Sequence, residues 1–155
     1  MFIDDITVRR IQKQDIGDLF NVAKASLTEK GIENIRDDLL MTGLKNACSK
    51  KTQQFDFGLY KLNKLIGFCF IELTKVFYEK DSKATYNTIY IIPEYRNKEN
   101  YKKIFDTTFN FLREIDVVNV VTTDNFTLCN DCNILQDLFD EMVGITPKTY
   151  YRAER

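Results

Sequence analysis

Thr88-Ile89-Tyr90-Ile91-Ile92-Pro93-Glu94-Tyr95-Arg96-Asn97-Lys98-Glu99-Asn100-Tyr101 is the stretch on which the fold turns. An apolar run meets a proline, passes through a short basic loop and enters an amphipathic pattern. Ile92 precedes proline, which favours extended backbone and ends the run as a strand. Beyond the loop, Tyr101, Ile104, Phe105, Phe109, Leu112 and Ile115 recur at helical spacing. The stretch therefore reads as strand, turn and helix, with a helix N-terminus directly after a cluster of basic residues.

Working outward, the C-terminal side continues with Val117 to Thr123, a β-branched run expected to form a central strand. A helix is expected over Asn133 to Val143, with Ile134, Leu135, Leu138, Phe139 and Met142 facing inward and Gly144 as its stop. Thr149 to Arg152 reads as an edge strand. On the N-terminal side, Thr85 to Ile92 follows a charged loop, Tyr78 to Lys83. Before it, Phe55 to Lys61 and Leu65 to Val76 read as a hairpin turned at Leu62-Asn63-Lys64. Ile6 to Ile11 alternates as a strand. Asp15 is placed to cap a helix carrying Ile16, Leu19, Phe20, Ala23 and Leu27, which Gly31 stops. A second helix over Ile35 to Ala47 is expected to turn Leu39, Leu40, Leu44 and Ala47 inward.

With 155 residues and no internal repeat or linker, one domain spanning residues 1–155 is expected. A formal net charge of −1 gives no global attraction for nucleic acid or anionic membranes. The first residues lack the basic start and apolar run of an export signal. The longest apolar run, Leu65 to Ile71, is too short for a membrane span. The expected location is the cytoplasm, where the four cysteines stay reduced. The chain has no histidine, which removes Ser-His-Asp and Cys-His catalysis and histidine-ligated zinc.

The order strand, helix, helix, three strands, helix, strand, helix, strand, together with the opening stretch, resembles the GNAT family of N-acetyltransferases. The family's acetyl-CoA pyrophosphate loop follows the pattern Arg/Gln-x-x-Gly-x-Gly/Ala. Arg96 matches it, while Glu99 and Tyr101 stand at the two small positions. Leu65-Ile66-Gly67-Phe68, Asn125, and Phe139-Asp140-Glu141-Met142-Val143-Gly144-Ile145 are similar to further family segments. The resemblance implies an α+β fold with a central mixed β-sheet flanked by helices. It also implies that Ile91, Arg96, Asn97, Lys98, Glu99, Asn100 and Tyr101 are the residues that would meet the pyrophosphate of acetyl-CoA.

The chemistry explains why Glu99 and Tyr101 matter. A helix N-terminus offers unpaired N–H donors to an anion. Glycine allows close approach and positive φ, a conformation that costs other residues about 1–2 kcal/mol. Glu99 would set a carboxylate beside a diphosphate, and Tyr101 a ring where a small residue packs. Arg96, Lys98, Lys102 and Lys103 form a basic cluster that reads either as an anion holder or as a solvated face. The segment Thr85 to Tyr90 offers no carboxylate base, and Glu72 on the preceding strand is the nearest. The tyrosine that protonates the leaving thiolate in the family aligns with Asp140, with Tyr150 or Tyr151 as substitutes.

Two other patterns carry less. Cys129-Asn130-Asp131-Cys132 could suit a redox pair or half a zinc site, but it lacks further ligands and reads as chance spacing, so no metal is expected. Tyr95, Arg96, Lys98, Tyr101, Lys102 and Lys103 mix aromatic and basic residues as nucleic-acid platforms do, yet Tyr101 also fits the helix stripe, and nucleic acid is not expected as a partner. The leading expectation is a non-catalytic protein of this fold. It would work through a protein partner or a homo-oligomer and need no cofactor, in the manner of the GNAT-like internal virion proteins of short-tailed bacteriophages that it resembles. The alternative is an acetyl-CoA-dependent N-acetyltransferase with an unusual loop.

Overall fold

A computed structural model describes residues 5–49, 54–74, 83–117, 119–122, 135, 137–138, 140–141 and 150–152. Its strands are β1 (Ile6–Arg10), β2 (Gln54–Lys61), β3 (Lys64–Thr74), β4 (Lys83–Ile91), β5 (Asn119–Thr122) and β6 (Tyr150–Arg152). Its helices are α1 (Ile16–Glu29), α2 (Asp37–Ala47) and α3 (Lys98–Glu114). The described residues between 135 and 141 are also helical. Pairing follows chain order in one six-stranded sheet. It is antiparallel from β1 to β4, then parallel from β4 through β5 to β6. The expected α+β mixed sheet and element order are what the chain forms.

Alternation along the strands splits the core between the two faces. On one face α1 and α2 bring Leu19, Val22, Ala23 and Leu44 against Tyr60, Leu65, Phe68 and Tyr90. On the other, α3 lays Tyr101, Ile104, Phe105, Phe109 and Leu112 on Phe57, Leu59, Ile71, Tyr86, Ile89 and Ile91, with Leu135 and Leu138 joining them. Tyr86 and Ile89 can share this face because the β3–β4 register shifts, from Phe70 opposite Thr88 to Ile71 opposite Tyr86. Asn87 is the extra residue of a β-bulge, and it reverses the alternation along β4.

Leu62 and Asn63 take φ of 49° and 68°. Two such residues in a row are the turn that suits a right-twisted hairpin, made here without glycine. Gly67 is required for another reason: a Cβ there would lie 2.7 Å from the Tyr90 carbonyl oxygen across the ladder.

Three expectations need correction. Ile115 is 39% exposed, because α3 ends at Glu114 and the chain turns at Asp116, whose φ is 60°. Leu39 is 59% exposed, because α2 buries the stripe through Leu40 and Leu44 instead. Asp15 does not cap α1 with its side chain. Its carboxylate takes the Gln12 N–H at 2.9 Å, Arg9 at 3.0 Å and the Tyr60 hydroxyl at 2.9 Å. Burial alone would raise its pKa, but these donors outweigh it and hold the group below the ordinary carboxylate value.

Asp56 sits on the α2 side of β2 at 4% exposure. It accepts from Gln54 Nε2 at 2.9 Å and from the Cys48 thiol. Burial raises its pKa above the ordinary 3.8, against Gln54, Cys48 and the Arg10 charge, which lower it. A raised folded-state pKa means that the folded form holds this proton more tightly than the unfolded chain. Stability is therefore lost as pH climbs from the ordinary carboxylate range through the folded value. Asp56→Asn keeps one acceptor oxygen and removes the buried charge. It is expected to raise stability at pH 7 by about 1–3 kcal/mol and to flatten the fall in stability between acid and neutral pH. Urea unfolding at several pH values measures both effects, and an unchanged pH profile would show that Asp56 carries no raised pKa.

Candidate functional site

The turn between β4 and α3 is built from local hydrogen bonds. Ile92 is extended, and Pro93–Tyr95 form one turn of 3-10 helix, with Tyr95 N–H donating to Ile92 O at 3.0 Å. Asn97 is the N-cap of α3, its Oδ1 accepting the Asn100 N–H at 2.8 Å. Asn100 is buried and donates through Nδ2 to Tyr95 O at 2.7 Å, clamping the turn onto the helix. The first intrahelical bond runs from Tyr101 N–H to Asn97 O. The N–H groups of Lys98 and Glu99 precede it, where a helix has no acceptor of its own to offer. They meet the positive end of a 17-residue helix.

The two large residues at the pattern's small positions point differently from one another. Tyr101 is 1% exposed and lies in the α3 core cluster. Glu99 is exposed. No residue from Arg96 to Tyr101 has positive φ, so the loop does not incur the strain expected of side chains at glycine positions.

Arg96 is turned back against the protein. Its Nε donates to Ile91 O at 3.0 Å, and its Nη2 donates to Glu29 Oε1 at 2.9 Å. Its guanidinium carbon stands 5.3 Å from the Tyr90 ring centroid. Tyr90 donates its hydroxyl to the same Glu29 oxygen at 3.0 Å. The bond from Arg96 holds the Glu29 carboxyl below its ordinary range despite burial. Burial, with Glu29 beside it, pushes the Tyr90 hydroxyl up to about 12. The basic cluster expected from the sequence is thus dispersed: Arg96 pairs with Glu29 and Lys102 with Asp106 at 3.0 Å, while Lys98 is exposed.

Beside this ion pair lies a groove of about 530 Å³, lined by Asn21, Lys24, Ala25, Thr28, Glu29, Tyr90 and Pro93. Glu29 and Tyr90 were not singled out in the sequence. The signals were a phenol inside an otherwise apolar strand end and a carboxylate at the last position of α1.

Other sequence candidates fall as follows. Glu72 pairs directly opposite Thr85 of β4, on the face that carries α1 and α2, and is exposed. Asp140 is helical and exposed. Tyr150 and Tyr151 are in β6. Asn125, Cys129 and Cys132 lie outside the described residues. Burial pushes the Cys48 thiol up to about 12 and the fully buried Cys69 thiol higher still, so neither is a ready nucleophile at neutral pH. Among the described residues no helix is long and apolar enough to cross a membrane. Nor do three or more potential metal ligands come together among them.

No protein-family model matches the chain, and no curated protein does. Solved structures do. A possible acetyltransferase from Clostridium difficile 630 aligns with a TM-score of 0.65 at 16% identity, over 98% of this chain and 97% of the other. A ribosomal-protein-alanine N-acetyltransferase from Brucella melitensis biovar Abortus 2308 gives 0.70 at 12% identity, over 97% and 99%. An aminoglycoside acetyltransferase from an uncultured soil metagenomic sample, solved with sisomicin, gives 0.69 at 12% identity, over 97% and 95%. At such identities the likeness establishes the fold, which is that of the GNAT acetyltransferases.

Proposed function

We propose that this chain binds acetyl-CoA at the turn between β4 and α3 and transfers its acetyl group to an amine. The observation that carries the reading is the position of Tyr101. The ring that stood against the cofactor belongs to the core, which leaves the start of α3 open to a diphosphate. The ground for a non-catalytic role weakens accordingly, and a virion role has no support beyond the sequence resemblance.

The residues present fit the pyrophosphate of acetyl-CoA. The Lys98 and Glu99 amides would donate to it, with the Lys98 side chain as an adjacent cation, while Asn97 and Asn100 keep the turn in shape. Acetyl-CoA supplies an activated thioester. The chain's own part is to align it along β4 and to take a proton from the incoming amine. Glu72, across the ladder from Thr85 near the start of β4, is the carboxylate that would serve that step, directly or through water.

A thermal-shift titration with acetyl-CoA and CoA tests the reading. Ligand at 100 times its Kd is expected to add about 2.7 kcal/mol of stability, and thiol release should then depend on added amine. The absence of any shift at millimolar ligand would refute it.

A further inference from the structure

We infer that the groove between α1 and the end of β4 is a binding site for an organic cation, with Glu29 as the residue that selects for positive charge. This rests on the acetyl-transfer reading only for its role, which would be to hold a second charged group of the amine acceptor.

Three features converge on the choice of a cation. First, among the described residues Glu29 is the only carboxylate lining the groove, and both of its hydrogen bonds, from Arg96 and Tyr90, end on Oε1. A carboxylate offers about four acceptor positions, and Oε2 takes no hydrogen bond from any described residue. Second, the groove wall is the last turn of α1, through Ala25, Thr28 and Glu29, so it lies at the partly negative end of a helix. Third, among the described residues the cation that lines the groove is already engaged elsewhere: Lys24 Nζ lies 2.9 Å from Asp37 Oδ1 of α2. Arg96 and Lys30 remain the positive neighbours of Glu29. Arg96 meets Glu29 on the oxygen that Tyr90 also uses, so it fixes the carboxylate without covering both of its oxygens.

Glu29 is also suited to binding more than to proton removal. Its carboxyl is held below the ordinary range, so it stays ionised and is a weak base. Ammonium recognition by Glu29 and deprotonation of the reacting amine are therefore separate tasks for separate residues.

The test uses the full chain, with backbone amide NMR as the readout and putrescine as the probe. The neutral 1,4-butanediol has the same length and serves as the control. Saturable shifts are expected at Asn21, Ala25, Thr28, Glu29 and Tyr90 with putrescine and not with butanediol. Glu29→Gln keeps an acceptor for Tyr90 and Arg96 and should weaken putrescine at least tenfold. Ala25→Phe, at an exposed position one helical turn before Glu29 on α1, fills the groove and should abolish the shifts. Equal responses to both probes, an unaffected Glu29→Gln, or shifts that survive Ala25→Phe would each overturn the inference, as would no response at all. Acetyl-CoA added to the same samples reports separately at residues 97–101. Silence there with putrescine still bound would remove the transfer reading and leave the cation site standing.

Discussion

Replacing Tyr101 by alanine should lower stability by about 3–5 kcal/mol, the range for removing a large buried aromatic side chain. From the family pattern one would expect the opposite, since position 101 is where a small residue belongs and a smaller side chain would restore the loop. The structure inverts that expectation. Tyr101 is 1% exposed and shares its cluster with Ile104, Phe105, Ile89 and Ile91, so its loss opens a cavity where α3 meets the end of β4. Glu99 gives the contrast. It is exposed in the first turn, and Glu99→Gly should cost no more than about 1 kcal/mol of helix propensity. The same change removes a carboxylate from the helix start and should tighten acetyl-CoA binding. Urea unfolding with an unchanged m-value, paired with acetyl-CoA titration, reads both. A Tyr101→Ala variant as stable as the parent would mean that the ring is not part of the core.

The same pair of residues shows what was legible in the sequence. Tyr101 carried two signals, a helix stripe and a loop motif, and the stripe prevails because burial of a ring outweighs a local pattern. Most of the fold could be read this way. Periodicity gave the element order, the buried face of α3 from Tyr101 to Leu112, and the inward positions of Leu135 and Leu138. It failed at helix ends: Ile115 continues the spacing but sits past the last turn and is exposed. The bulge at Asn87 left no mark, because an extra residue in a polar stretch, Tyr86-Asn87-Thr88, looks like ordinary alternation. The Glu29–Arg96 pair was out of reach for a different reason. Its members are 67 positions apart, and nothing local in either segment names the other.

That pair leads to the other large effect expected here. Arg96→Ala should cost about 1–2 kcal/mol and abolish the stabilisation by acetyl-CoA. A hydrogen bond to a charged group typically contributes about 1.5–3 kcal/mol. The figure is discounted because Glu29 keeps 28% side-chain exposure, against 11% for Arg96. The substitution leaves the Ile91 carbonyl without its side-chain donor and Glu29 with Tyr90 alone. The turn from Ile92 to Asn97 then loses its tie to α1, and the amides of Lys98 and Glu99 lose their fixed aim. The sequence suggested that Arg96 meets the anion itself. Its bonds to Ile91 O and Glu29 would equally suit a positioning role, and Arg96→Lys separates the two. A lysine supplies the charge but not the two-pronged geometry, so a direct anion contact would survive the change in large part and a positioning contact would not. pH offers a second handle. The folded pKa of Glu29 is depressed, first by the Arg96 hydrogen bond, so the pair contributes stability above the ordinary carboxylate value and loses it as pH falls through the folded one. In Arg96→Ala that share of the acid-side loss should disappear. A variant that kept its acid sensitivity, its stability and its response to acetyl-CoA would show that the turn holds its shape without the pair.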